Sequence, residues 1–156
     1  MDTSSLSELK KELQTLPYPK LVDIAIRLAK YKKENKELLH YFLFEAHDDQ
    51  SYIDAIKKEV EEQFKSINYT NLYFTKKSVR KVLRFVNKHI KYAAKPEITV
   101  ELLIHFLQQY KRNPIRFDNS TAMVNLFAAQ LKKIDKELAK LHEDIQYDYR
   151  KELELL

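Results

Sequence analysis

Not one glycine occurs in the chain, where ordinary usage supplies about eleven in this length. Glycine-rich phosphate loops, the dinucleotide fingerprint and the G-x-S-x-G nucleophile elbow all need a residue without a Cβ where backbone meets ligand or turns sharply. Those three site classes are excluded. Cysteine is also absent, which removes disulfides, thiol nucleophiles and cysteine-ligated zinc, and nothing points to an oxidising compartment. No apolar run approaches the ~18 residues of a membrane span, and the opening MDTSSLSELKK lacks the apolar core of a signal peptide. These two features predict a cytoplasmic protein with no membrane partner.

The last absence is local. Between Gln63 and Pro96 there is no Asp or Glu, but there are nine Lys or Arg, while the rest of the chain carries nineteen basic against twenty-three acidic residues. The whole net charge of +5 originates in this one segment. Its centre, KKSVRKVLRFVNKHIKYAAK over 76–95, is the most suggestive stretch of the sequence.

What is present is helical patterning almost everywhere. The 156 residues, 44% apolar and 33% charged, fit one globular domain spanning 1–156. Ser5 and Glu8 form an S-x-x-E capping box ahead of Leu6, Leu9, Leu13 and Leu16, and Pro17-Tyr18-Pro19 ends that stripe. Pro19 fits the first turn of a second helix, with Leu21, Val22, Ala25, Leu28 and Ala29 on one side. Asn35 reads as the cap of a third helix, Leu38 to Ala46; its HYFLF run would otherwise be a strand without a partner. A fourth helix is expected over Ser51 to Ile67. Thr75 reads as the cap of a basic fifth, which Pro96 ends, and Thr99 as the cap of a sixth. A long last helix is expected over about 121–153.

Shifted by sixty-four positions, LVDIAIRLAKYKKENKELLHYFL (21–43) aligns without a gap on FVNKHIKYAAKPEITVELLIHFL (85–107), with eight of twenty-three positions identical. Both read as helix, short turn, helix. The expected fold is therefore all-α, with helical hairpins stacked as a HEAT- or armadillo-like solenoid or as an irregular bundle, about seven helices in all. Stacks of this kind bind partners more often than they do chemistry, an analogy from fold.

At 100° per residue, Lys77, Lys81, Arg84, Lys88, Lys91 and Lys95 form a stripe opposite Val79, Val82, Val86, Ile90 and Ala93. The positions matching Lys81, Lys88 and Lys95 in the first hairpin are Pro17, Ile24 and Tyr31, so the hairpin does not need the stripe in order to fold. Two readings stay open. The stripe is either a solvated face opposite the core, or an anion site that grips DNA or RNA and joins Lys111, Arg112 and Arg116 in one patch. Tyr69, Tyr73 and Phe74 just upstream are expected to anchor their loop in the core rather than to stack on bases.

In the last helix Phe127, Leu131, Ile134, Leu138, Leu141 and Ile145 make a heptad seam, and acidic flanks favour packing within the chain over self-pairing. Running unbroken for ~48 Å it would have to bend or project from the domain. Catalytic and metal motifs are incomplete. Glu37 and His40 supply one E-x-x-H where a di-iron bundle needs two; Glu101 and His105 lie one turn apart; His142-Glu143-Asp144-Ile145-Gln146 imitates H-E-x-x-H until glutamine replaces the second ligand. His47-Asp48-Asp49 suits a helix stop. No serine, threonine or lysine has an identifiable base beside it, so neither catalytic residues, nor a metal, nor a cofactor is expected.

The order LKKELQTLPYPKLVDIAIRLAKYKKENKELL, then KKSVRKVLRFVNKHIKYAAKPEITVELLIHFL, resembles an uncharacterised bacterial all-helical family with a leucine-rich N-terminal pair and a basic S-V-x-K/R-x helix followed by a Pro-initiated one. The likeness covers residues 9–110. It implies the fold only, and no functional residue carries over from it. The functional expectation is a non-enzymatic protein-interaction module, with low-specificity nucleic-acid binding through 76–95 as the alternative. Partner and oligomeric state are not written in the sequence.

Overall fold

The computed structural model describes residues 2–115 and 120–156, and every regular element in them is helical. These are α1 Leu6–Thr15, α2 Tyr18–Tyr31, α3 Lys33–His40, a π-helical turn Tyr41–Glu45, α4 Asp49–Lys65, α5 Leu72–Ala93, α6 Pro96–Arg112, α7 Thr121–Leu138 and α8 Glu143–Glu154. The all-α expectation holds. No helix among the described residues is long and apolar enough to cross a membrane. The chain divides into two compact units, Met1–Phe44 and Glu45–Leu156.

In the first unit, the Ser5–Glu8 capping box forms as the sequence predicts, with the Glu8 side chain accepting from Ser5 N at 2.7 Å and Glu8 N donating to Ser5 Oγ at 3.3 Å. Pro17 caps α2, and Pro19 lies in its first turn. Helix α3 starts earlier than expected: Lys32 is its N-cap, without a side-chain cap bond. Asn35 instead donates from Nδ2 to the carbonyl of Leu28 at 2.9 Å, closing the α2–α3 hairpin. The HYFLF run is neither strand nor regular helix. It ends α3 and enters the π turn, leaving Phe42, Leu43 and Phe44 exposed.

The second unit is organised around α6. A helix that is apolar all round must be buried all round, and Ile98, Leu102, Leu103, Ile104, Phe106 and Leu107 are each at most 1% exposed. Helices α4, α5 and α7 pack against it. The pairs Lys57 with Glu101 (2.6 Å), Glu61 with His105 (3.3 Å) and Asp49 with Lys95 (2.7 Å) fix α4 and α6 in a parallel register, and α5 returns between their ends. Phe64 meets Phe106 at 5.6 Å between ring centroids. On the far side, Tyr110 donates to the carbonyl of Met123 at 3.3 Å, and its ring lies 5.5 Å from that of Phe127. The part of the heptad seam that lies on α7, Phe127 to Leu138, is thus used within the chain against α6, whereas Leu141 and Ile145 fall beyond the end of α7.

The last helix bends rather than projects: 121–153 is two helices, not one. A straight rod would overrun α6, whose 17 residues span only ~25 Å. The chain turns at Ala139 to His142; His142 then caps α8, its ring accepting from Asp144 N at 3.3 Å, and Glu143 and Asp144 suit the helix N-terminus. Helix α8 folds back onto α6 through Tyr149 to Glu101 (2.9 Å) and Gln108 to Glu152 (2.8 Å).

The lack of glycine leaves a mark at Ala94, which ends α5 at φ 51°, ψ 35°. Helices commonly close with such a left-handed residue, and glycine is the usual choice. An alanine there costs roughly 1 kcal/mol. Lys95 follows as the N-cap of α6, Pro96 takes the first turn, and Thr99, expected as the cap, instead donates to the Lys95 carbonyl at 3.0 Å.

Candidate functional site

The basic helix is built from its cap. Asn71, not Thr75, starts α5, accepting from Tyr73 N at 2.8 Å and Phe74 N at 3.3 Å. Thr75 is buried and donates to the Asn71 carbonyl at 2.9 Å. From that start the phase of the helix follows. Thr75, Val79, Val82, Val86 and Ile90 are buried, and Lys77, Arg80, Lys81, Arg84 and Lys91 are exposed on the opposite face. These five cations fall within an arc of about 120° at 100° per residue.

Two of the six stripe residues expected from sequence sit differently. Lys88 is half-buried, its Nζ 5.9 Å from the centre of the Phe85 ring. Lys95 lies beyond the end of α5 and contacts both carboxylate oxygens of Asp49 at 2.7 Å. Arg80 belongs to the exposed face beside the six expected residues, and its exposure follows from sitting three residues from Lys77 and four from Arg84. Of the three residues expected to extend the patch, Lys111 and Arg112 stand exposed in the last turn of α6, with Lys111 Nζ 5.4 Å from the centre of the Phe127 ring, and Arg116 lies outside the described residues.

The aromatic residues also divide. Tyr69 anchors its loop as expected, half-buried and donating to the Phe64 carbonyl at 2.9 Å; burial pushes its phenol up to about 12. Tyr73 and Phe74 do the opposite of what was expected. They are 68% and 53% exposed, ring edge against ring face at 5.4 Å. The earlier helix start explains this, because it places both side chains on the first turn, in phase with the cations.

Among the described residues, Lys77, Arg80, Lys81, Arg84 and Lys91 enter no ion pair. Near the end of the stripe, Lys133 of α7 donates to Asn87 Oδ1 at 2.7 Å; burial holds its ammonium below the usual range, opposed by Glu137 and assisted by Lys91. Glu137 itself is bound by Lys140 at 2.8 Å.

The other polar residues singled out by the sequence make local contacts. Glu101 receives both Lys57 and Tyr149, and burial, then that carboxylate, raises the Tyr149 phenol. His105 Nε2 is buried and lies 3.3 Å from Glu61 without hydrogen-bond geometry. Glu37 pairs with Lys33 at 3.7 Å, and His40 lies against Phe44 at 5.0 Å. No group of three potential metal-ligating side chains occurs among the described residues.

Burial lowers the His105 imidazole below its ordinary value of 6.5, assisted by Lys57 and Arg112 and opposed by Glu61 and the Lys57 backbone. Its folded pKa is depressed, so the unfolded chain takes up the proton first. Stability is therefore complete above about 6.5 and falls as the pH drops through the folded value. Urea titrations from pH 7 to pH 5 are expected to show this loss, and His105→Phe to flatten it. An unchanged slope in the variant would place the pH dependence elsewhere.

The first unit offers apolar surface of another kind. No residue of α1, α2 or α3 is buried. Leu6, Leu9, Leu13 and Leu21 line an open groove of about 480 Å³ between α1 and α2, edged by Lys10 and Gln14. A second groove of about 340 Å³ runs between α2 and the α3 segment, with Ile26, Leu39 and Leu43 on its floor and Lys30, Lys36 and His40 among its polar residues. Compared with protein-family models, curated proteins and solved structures, the chain matches none.

Proposed function

We propose that the chain is a non-enzymatic protein-interaction module whose docking surface is the apolar face of α1–α3. The observation that carries this reading is the exposure of leucines at helical spacing on α1–α3, three helices that bury none of their residues: Leu6 is 85% and Leu28 58% exposed. Scattered exposed apolar residues need no explanation, but contiguous ones mark binding surfaces. Both grooves are edged by lysines, with no Asp or Glu in their lining. A second copy would set lysine against lysine. The partner that fits is an amphipathic helix of another protein, with leucine-type residues along one face and acids beside them.

Panning a displayed library of helical peptides on the full chain tests this. The expected binders carry apolar residues at i, i+3, i+4 and i+7 with Asp or Glu alongside. The double substitution Leu9→Glu, Leu13→Glu is expected to weaken them by about thirtyfold, the equivalent of ~2 kcal/mol. Both side chains are exposed, so the melting temperature is expected to hold. Binders with basic flanks, or binders indifferent to this double substitution, would contradict the assignment.

A further inference from the structure

We infer that the exposed face of α5 is a binding site for single-stranded nucleic acid, on a different unit and a different surface from the docking face of α1–α3. The face joins two components. One is the set of cations Lys77, Arg80, Lys81, Arg84 and Lys91, which enter no ion pair among the described residues and stand in a segment without acids from Gln63 to Pro96. Adjacent like charges at i,i+3 and i,i+4 repel. Carboxylates offset charge elsewhere in this unit, at Lys57 with Glu101 and at Lys95 with Asp49. Among the described residues, none does so for these five cations. An anion from outside would remove the repulsion and release its own counterions.

The second component decides which polyanion fits. Tyr73 lies at the head of the stripe, in line with Lys77, Arg84 and Lys91 along the helix, and Phe74 lies beside Lys81 in helical phase. Both rings are more than half exposed. A solvated face opposite a core has no use for two aromatic rings in its first turn. An acidic peptide or a lipid headgroup pairs with the cations but has no planar base to lay on the rings. The stacked bases of a duplex are closed to them. Unpaired bases stack on aromatic side chains while their phosphates follow neighbouring cations, a combination that tolerates sequence and gives strong salt dependence. From Tyr73 to Lys91 the face runs ~27 Å.

The test uses the full chain and a labelled oligothymidylate of about sixteen nucleotides, read by fluorescence anisotropy. Binding is expected at ~50 mM salt, with a log-log salt slope near −3.5 for five phosphate contacts at about −0.7 each. Arg80→Glu, Lys81→Glu and Arg84→Glu together are expected to abolish it. Tyr73→Ala with Phe74→Ala is expected to weaken it by about tenfold or more and to leave the salt slope unchanged, since no phosphate contact is lost. Thermal melts verify that both variants remain folded. A duplex of the same length, a polyglutamate peptide and phosphatidylserine vesicles are the competing probes. Equal or tighter binding of any of these overturns the assignment in favour of that probe's class. Retained affinity in the Tyr73, Phe74 variant overturns the stacking platform, and no binding of any probe at ~50 mM salt means that the stripe is a solvated face.

Discussion

A chain ended after Ile115, lacking α7 and α8, is expected to lose its cooperative thermal transition. Helix α7 buries Met123, Ile134 and Leu138 completely, each 0% exposed, and each such side chain contributes about 1.5–3 kcal/mol on burial. Their removal also returns water to the α6 side chains beneath them. The combined loss is comparable with the whole stability of an ordinary domain, about 5–15 kcal/mol. The truncated chain is expected to keep helical far-ultraviolet circular dichroism, lose near-ultraviolet signal and bind a hydrophobic dye, the behaviour of a compact state without fixed packing. A sigmoidal melt within a few degrees of the full chain would mean that α7 is a projecting arm rather than one wall of the core.

Helix existence was legible in the sequence because each helix has an apolar set at helical spacing, and the role of the α7 seam because its acidic flanks argued against self-pairing. Starts and stops were less legible, for a specific reason. Asn35, Thr75 and Thr99 have cap-forming side chains, but each lies inside its helix and bonds a backbone carbonyl. The caps of α3 and α6 are Lys32 and Lys95, with no side-chain cap bond to announce them. The end of α5 was hidden by the same feature that marks the whole sequence. A left-handed closing residue is ordinarily flagged by glycine, and here it is Ala94, so Lys95 read as one more residue of the stripe.

The candidate sites were legible in proportion to their periodicity. The cation stripe is a direct consequence of one residue every 100°, and four of its six expected members stand exposed on α5. Tyr73 and Phe74 were misread because their exposure depends on where the helix begins. Had Asn71 been taken as the cap, the same periodicity would have put both rings on the cation face. The uncovered state of α1–α3 has no local signature at all. A leucine stripe reads alike whether the surface facing it belongs to the chain or to something else.

That uncovered state is the central claim, and amide hydrogen exchange of the full chain measures it most directly. Helices of 10, 14 and 8 residues are marginal in water without a packed face, and local opening is set by how little apolar contact holds a segment. Amides of α1–α3 are expected to exchange with protection of no more than about tenfold, while those of α4–α7 are protected at least about a thousandfold, close to the global opening of their unit. Adding an acid-flanked amphipathic peptide that binds the chain is expected to raise protection in α1–α3 alone. Protection of α1–α3 equal to that of α6, with no peptide present, would contradict the account, because it would mean that their apolar face is already covered.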